Sequence, residues 1–201
     1  NSVKEYKSCS DKFKKKQIIA KIKQIKDNLF YNDAQQHLED KNDSANKFDN
    51  AIEWAIEFPE VIDENGKFTG FDIVIGNPPY IQLQKMNNGA DTLAKMNYAT
   101  YVRSGDIYCL FYELAYKLLK KNGMLAYISS NKWMRAGYGE ALRNFLVTKT
   151  DPVQLIDFSG EKVFQKVTVD VNILIYRKAD NQFNTLSCRS EERRVGKECR
   201  S

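Results

Sequence analysis

The residues best suited to chemistry are an asparagine, two prolines and a tyrosine that stand together as Asn77-Pro78-Pro79-Tyr80. They follow Phe71-Asp72-Ile73-Val74-Ile75-Gly76, a short β-branched run typical of a buried parallel strand. The two prolines prevent further strand pairing, so the strand must end there. Ligands of open α/β sheets bind beyond the carboxyl ends of strands. The sequence therefore predicts that this motif is exposed at a ligand site rather than buried.

These residue types suit methyl transfer to an amine whose lone pair is delocalised into a ring, such as the exocyclic amine of adenine. The Asn77 side-chain oxygen and the Pro78 carbonyl can accept hydrogen bonds from the amine and stabilise the positive charge that develops on it. Successive prolines hold that carbonyl rigidly, and Tyr80 offers a flat face for stacking. This mechanism requires no metal and no strong general base. The alternative interpretation, a turn or polyproline segment without chemistry, is disfavoured by the strand before it and the aromatic ring after it.

The elements around the motif follow from apolar periodicity. Residues 106–121 predict the clearest helix, with Asp106 as its cap and with Lys120, Lys121 and Gly123 closing its end. Its apolar face comprises Ile107, Leu110, Phe111, Leu114, Leu118 and Leu119. The segment between the motif and this helix is rich in Asn, Gly and Asp and predicts a loop. Cys109 lies within the helix pattern and is most simply a core residue.

The remaining elements are a strand at 124–129, a helix at 138–147 and a strand at 153–158. An alternating run over 167–175 predicts a longer strand near a sheet edge, covered on one side. This order indicates an α/β fold with a mostly parallel sheet and an antiparallel final strand.

Composition excludes several classes of protein. No apolar run approaches the roughly 20 residues that span a bilayer, and no apolar segment typical of a signal peptide follows the first lysines. The four cysteines show no Cys-x-x-Cys spacing and His37 is the single histidine, so neither a zinc site nor a disulfide framework is expected. A cytoplasmic protein without a metal is the default expectation.

The amino-terminal segment is basic. Residues 1–27 carry nine lysines against three acidic residues, and Ile18, Ile22, Ile25 and Leu29 predict an amphipathic helix over 12–30. Such a surface can attract a polyanion, although a solvated helix face is the commoner explanation. We divide the chain into a basic helix with a polar connection (1–50), a catalytic part (51–180) and a tail (181–201). From about residue 189 the tail resembles translated vector sequence and is set aside.

The run from Phe71 to Tyr80 resembles the catalytic motif of N6-adenine DNA methyltransferases. Several further stretches resemble the branch found in type II restriction–modification systems, many of whose members, the type IIG enzymes, join methyltransferase and endonuclease in one polypeptide. These stretches are Glu57-Phe58-Pro59-Glu60-Val61, Gly105-Asp106-Ile107-Tyr108, residues 122–135 from Asn122 to Arg135, and Gly160-Glu161-Lys162-Val163-Phe164. The likeness covers roughly residues 50–180, with its motifs in the same order.

The resemblance implies a Rossmann-like fold, S-adenosylmethionine as methyl donor, and double-stranded DNA with a flipped adenine as substrate. It assigns Asn77, Pro78 and Pro79 to the grip on the target amine, and Tyr80 with Phe164 to stacking on the flipped base, which offsets part of the cost of extracting it. It assigns Ile107 and Phe111 to the adenine of the donor. Ile107 and Phe111 are equally explicable as apolar packing residues, and for Phe164 a place in the core is the less favoured alternative.

A Gly-rich turn and a following acidic residue, which normally hold the donor on this fold, are not recognisable before Asn77. Gly137-Tyr138-Gly139 is the single Gly-x-Gly, and a helix start explains it better. We therefore expect an internal fragment of a larger enzyme that is inactive alone and corresponds to the carboxy-terminal part of the methyltransferase domain. Two alternatives stay open: methylation of protein glutamine or ribosomal RNA guanine, and a non-catalytic DNA-binding module that uses the lysine-rich helix.

Overall fold

A computed structural model describes the chain at residues 5, 10–14, 16–17, 20–21, 52, 54–58, 61–63, 67–160, 163 and 169–189. Residues 1–69 and 70–201 form two compact units, which are described separately.

The first unit contains short helical and bridged segments. Residues 12–14, 16–17 and 20–21 are helical, in agreement with the predicted amphipathic helix, whose other residues lie outside the described part. The Asp11 carboxylate accepts hydrogen bonds from the backbone N–H groups of Phe13 and Lys14, at 2.8 and 3.2 Å, and so caps the start of this helix. A helical turn spans Trp54–Glu57.

The second unit is a five-stranded sheet with helices. Its strands are β1 (Phe71–Gly76), β2 (Leu119–Ser130), β3 (Asp151–Asp157), β4 (Val171–Arg177) and β5 (Leu186–Arg189). Its α-helices are α1 (Asn88–Lys95), α2 (Tyr108–Leu118) and α3 (Glu140–Lys149). Single 3₁₀ turns span Leu83–Met86, Asn131–Met134 and Gly137–Gly139.

The strand order is β1-β2-β4-β3-β5. β1 pairs parallel with β2, β4 pairs antiparallel with both β2 and β3, and β5 pairs parallel with β3. Four strands therefore share one direction and β4 opposes them. This arrangement confirms the predicted α/β, Rossmann-like, mostly parallel sheet. The antiparallel strand is β4, the last of the predicted strands, but the final strand of the chain, β5, is parallel to β3. The carboxyl ends of β1, β2 and β3 consequently meet at one edge of the sheet, which we call the carboxyl edge.

The core lies around α2 and the centre of the sheet. Its fully buried side chains include Leu83, Tyr108, Tyr112, Leu119, Leu125, Leu142, Leu174 and Tyr176. The Tyr176 hydroxyl donates to the Tyr112 carbonyl at 2.6 Å, so this phenol is satisfied inside the core. Cys109 is buried as predicted, and burial raises the pKa of its thiol to about 12.

Two expectations about the strands are wrong. β1 is parallel as predicted, but it is not buried: Ile73 and Ile75, which share one face of the strand, are 68% and 79% exposed, whereas Val74 on the other face packs against the core. β4 was predicted near a sheet edge, yet it lies between β2 and β3. A strand that is partly buried on both faces can show the same apolar–polar alternation as a strand covered on one face. The alternation in the sequence therefore predicted the wrong position for β4 in the sheet.

The helix boundaries also differ from the prediction. α2 ends at Leu118, because Leu119 pairs with Phe71 and begins β2. Pairing in the sheet therefore outweighs the apolar pattern that predicted a longer helix. Asp106 does not cap α2 through its side chain. α1 occupies part of the segment predicted as a loop. Residues 186–189, assigned to the tail, form β5, while the other proposed domain boundaries remain predictions.

Candidate active site

The Asn77-to-Tyr80 motif leaves the sheet at the carboxyl end of β1. Gly76, the last residue of β1, pairs with Tyr127 of β2. Asn77 and Pro79 are exposed, Tyr80 is half-buried and Pro78 is buried. The expectation that the whole motif is exposed is therefore wrong at Pro78, whose packed ring anchors the segment between two exposed residues.

Tyr80 is held by two contacts. Its hydroxyl lies 3.5 Å from the Ile128 carbonyl, to which it donates, and its ring meets Tyr108 edge-to-face with centroids 6.0 Å apart. Burial raises the pKa of Tyr80, so the phenol stays neutral at physiological pH. An edge-to-face contact occupies at most one face of each ring. Tyr108 therefore leaves at least one face of Tyr80 uncovered.

A backbone strap joins the exit of the motif to the start of α2. The Leu83 N–H donates to the Gly105 carbonyl and the Ile107 N–H donates to the Ile81 carbonyl, both at 2.9 Å. These bonds bring Ile107 beside the motif although Ile107 follows the residues of the motif by 27 to 30 positions in the sequence. Ile107 and Phe111 are both half-buried at the margin of the core.

Behind Tyr80 lies a chain of hydroxyl groups that ends on a carboxylate. Tyr108 and Tyr138 share a hydrogen bond at 2.8 Å between their hydroxyls, and the Tyr138 hydroxyl donates to the Asp106 carboxylate at 2.9 Å. Burial raises the pKa of both phenols, and the Asp106 carboxylate raises that of Tyr138 further. The protons therefore stay on the tyrosines. This series of hydrogen bonds holds Tyr108 in place, and the ring of Tyr108 in turn supports Tyr80.

The segment after β2 forms a rigid turn at the carboxyl edge of the sheet. Trp133 is buried and its indole N–H donates to the Asn172 side-chain oxygen at 3.1 Å. The Arg143 guanidinium, from α3, donates to the carbonyls of Trp133 and Ala136. Both ends of the turn are therefore attached to the sheet and to a helix.

Asn131 links the ends of β2 and β3. Its side-chain N–H₂ donates to the Asp157 carboxylate at 3.0 Å and to the Ser159 hydroxyl at 2.7 Å. Burial would raise the pKa of Asp157, but hydrogen bonds from Asn131 and Ser159 and the positive charge of Arg189 outweigh it. The pKa of Asp157 therefore lies below its ordinary value. An ionised carboxylate thus holds two strand ends together.

Residues 4–164 match the family model of the Eco57I restriction–modification methylase. This match covers most of the chain, including the motif, the strap and the turn after β2. The chain belongs to the Eco57I methylase family.

Curated members of restriction systems are similar over about half of this Eco57I-family chain. The type II restriction enzyme and methyltransferase RM.Eco57I of Escherichia coli is 31% identical over 114 residues, which cover 55% of this chain and 11% of that protein. The type II methyltransferase M.BanIII of Aneurinibacillus aneurinilyticus is 31% identical over 103 residues, 51% of this chain and 17% of its own. The adenine-specific methyltransferase BrxX of Escherichia coli O9:H4 is 29% identical over 101 residues, which cover 50% of this chain and 8% of that protein. The matched region is thus less than a fifth of each of these three relatives.

Solved structures of restriction systems superpose on the chain at low identity. A methyltransferase subunit of a type I restriction–modification system from Streptococcus thermophilus aligns over 62% of this chain and 27% of its own, with 18% identity and a TM-score of 0.49. The type IIL enzyme MmeI, in complex with DNA, aligns over 55% of this chain and 16% of its own, with 18% identity and a TM-score of 0.45.

The structure of this Eco57I-family chain brings Ile107 and the start of α2 next to the exit of the motif, while the roles predicted for these residues stay predictions. Phe164, the predicted second stacking residue, lies outside the described residues. The sequence reasoning missed the support provided by Asp106, Tyr138 and the Asn131–Asp157 link. Their spacing of 26 to 32 residues leaves no local signal, although the resemblance had singled out segments containing Asp106 and Asn131.

Within the described residues, no three His, Cys, Asp or Glu side chains are grouped as metal ligands. No helix in that part of the chain is long and apolar enough to cross a bilayer.

Proposed function

We propose that this chain carries the target-base half of an S-adenosylmethionine-dependent DNA methyltransferase that modifies the N6 amine of a flipped adenine. The enzyme works in the cytoplasm as part of a restriction–modification system. One observation carries the proposal: an Asn-Pro-Pro-Tyr motif stands at the carboxyl end of a parallel strand in a member of the Eco57I methylase family. The relative named as adenine-specific supports adenine as the base.

In the proposed reaction, the side-chain oxygen of Asn77 and the carbonyl of Pro78 accept hydrogen bonds from the target amine. Both are acceptors, so they stabilise the positive charge that grows on the nitrogen as it is methylated. The buried Pro78 ring supplies the rigidity that this grip requires. The bound donor supplies the methyl group.

Stacking and donor binding use the residues around this grip. Tyr80, backed by Tyr108, provides a neutral aromatic surface for the extracted base, with Phe164 as its proposed counterpart. The proposed donor contacts are Ile107, whose N–H donates to the Ile81 carbonyl just after the motif, and Phe111, one helical turn further along α2; both are apolar and half-buried. They would pack against the donor's adenine.

The test is Asn77→Ala in the product of the complete reading frame, supplied with methyl-labelled S-adenosylmethionine and duplex DNA. We expect methyl transfer to fall by about 10²–10³-fold, the usual loss for one preorganised charge-stabilising group, while DNA binding is retained. Asn88→Ala removes another exposed asparagine amide, outside the motif, and is the matched control.

The outcomes separate the competing functions. Labelled N6-methyladenine in the DNA supports the proposal, whereas label in release factor or ribosomal RNA identifies another amine as the substrate. A non-catalytic DNA-binding module would give a different result. The wild type would then not methylate DNA, Asn77→Ala would leave DNA binding unchanged, and neutralising Lys14, Lys15 and Lys16 would abolish DNA binding.

A further inference from the structure

We infer that Lys132 and Arg135 form a paired contact for DNA backbone phosphates beside the target base. Lys132 lies in the 3₁₀ turn Asn131–Met134 and Arg135 directly follows it. We call residues 131–135 the cationic turn. The inference rests on the proposed function, because it names the part of the DNA that this turn would hold.

The two cations face the same way. The Arg135 N–H donates to the Lys132 carbonyl at 3.1 Å, an i to i+3 bond. Side chains three residues apart in a 3₁₀ turn lie one above the other. Both side chains are exposed. The turn therefore presents two positive charges from adjacent positions on one side.

Neither cation has a side-chain partner within the described part of the chain, unlike several other basic residues of this unit. Lys120 pairs with Asp72 at 3.0 Å, Arg103 pairs with Asp91, and Arg143 donates to backbone carbonyls. The acidic side chains beside the cationic turn are already engaged: Asp157 by Asn131, and Asp170 by the Gly160 N–H at 3.3 Å. Lys132 and Arg135 thus remain available to an external anion.

The backbone beneath the two cations is held rigidly. Ser130 accepts from the Lys132 N–H at 3.4 Å, Trp133 is buried between the two cations, and Asn131 is bonded to the end of β3. A rigid backbone lowers the entropic cost of ordering the site when a ligand binds. Trp133 therefore serves as an anchor that faces inwards while its neighbours face outwards.

The location suits a strand that runs past the target base. Tyr80 reaches the carbonyl of Ile128, and the cationic turn begins three residues further along β2. At about 3.3 Å per strand residue this separation is roughly 10 Å. The turn is therefore close enough to the proposed base site to contact the DNA backbone that flanks the extracted base.

The experiment measures DNA affinity as a function of salt for the product of the complete reading frame. Each phosphate contact contributes about 0.9 to the slope of log affinity against log salt. For the double variant Lys132→Ala/Arg135→Ala we expect a slope shallower by about 1.8 and affinity about 60-fold lower at 0.1 M salt. In methylation assays, KM for DNA should rise while kcat changes little, because the turn does not touch the reacting amine.

Two further variants make the result specific. Lys121→Ala/Lys149→Ala removes the same charge from exposed positions at the opposite edge of the sheet, and should leave the slope unchanged. The exchange Lys132→Arg/Arg135→Lys keeps both charges and should restore the slope. Equal losses in both alanine pairs would overturn the inference in favour of general attraction, as would unaltered binding of Lys132→Ala/Arg135→Ala. If DNA binding follows these expectations but no methylation is found, the proposed function fails and the phosphate contact stands.

Discussion

At the scale of single residues, burial and hydrogen bonding together determine the charge state of the groups around the proposed site. Buried tyrosine hydroxyls keep their protons, since burial raises their pKa values, whereas Asp157 keeps its charge because donors surround it. The residue types at Asn77, Pro78 and Tyr80 predicted a chemistry directly. The roles of Asp106, Tyr138 and Asp157 depend on partners at least 26 residues away, which single-residue reasoning cannot supply.

Asp157 makes stability dependent on acid pH. Its folded-state pKa lies below the ordinary value of about 3.9, so its stabilising contribution is present above that value and is lost as the pH falls through the folded-state pKa. We expect Asp157→Asn to reduce the acid-sensitive part of the free energy of unfolding by about 1 kcal/mol, the net scale of one ordinary hydrogen bond. Denaturant unfolding between pH 7 and pH 3 measures this.

Asp180→Asn is the matched control for Asp157, because its carboxylate is exposed. If the two variants follow the same pH curve, the link between β2 and β3 does not depend on the Asp157 charge.

At the scale of elements, the segment between β2 and α3 is positioned by close backbone packing. A Cβ atom built on Gly139 would lie 1.9 Å from the Trp133 carbonyl oxygen and 2.6 Å from its carbon, whereas one on Gly137 would meet nothing within 4 Å. Two glycines of one 3₁₀ turn therefore have different roles. The sequence showed only a Gly-x-Gly compatible with a helix start.

Gly139→Ala should lower the free energy of unfolding by about 2–4 kcal/mol, because the backbone of the Trp133 turn must move to admit a methyl group. Gly137→Ala should change it by less than about 1 kcal/mol, since reduced freedom of the unfolded chain is its main effect. Equilibrium unfolding of both variants at neutral pH provides the comparison. Similar stabilities would show that the turn is not packed as the structure describes.

Element types were predictable, whereas some boundaries and positions were not. α2, α3 and the first four strands follow from apolar periodicity. α1 was not predicted, because Asn88-Gly89-Ala90-Asp91 is typical of a loop. β4 carries an alternating pattern that suits an edge strand, and its place between β2 and β3 depends on pairing partners that a local pattern does not specify.

At the scale of the whole molecule, the sequence ahead of the proposed target-base motif shows no pattern that predicts a Gly-rich donor turn. We therefore expect residues 1–201 alone to bind S-adenosylmethionine weakly or not at all. Isothermal titration calorimetry on this chain tests the expectation, with the product of the complete reading frame as the positive control. Micromolar affinity for the isolated chain would contradict it and would require a donor site built from other residues.

The central position of β4 has a consequence for synthesis on the ribosome. β2 and β3 are not neighbours; each pairs with β4, whose residues 171–177 follow Asp157, the end of β3, by 14 to 20 positions. Until those residues emerge, the nascent chain carries two strands that share no partner and whose inner edges are open. Insertion of β4 completes both ladders at once, and open strand edges are sites of association between chains. We therefore expect the nascent chain to be open to association through these strand edges between translation of β3 and translation of β4.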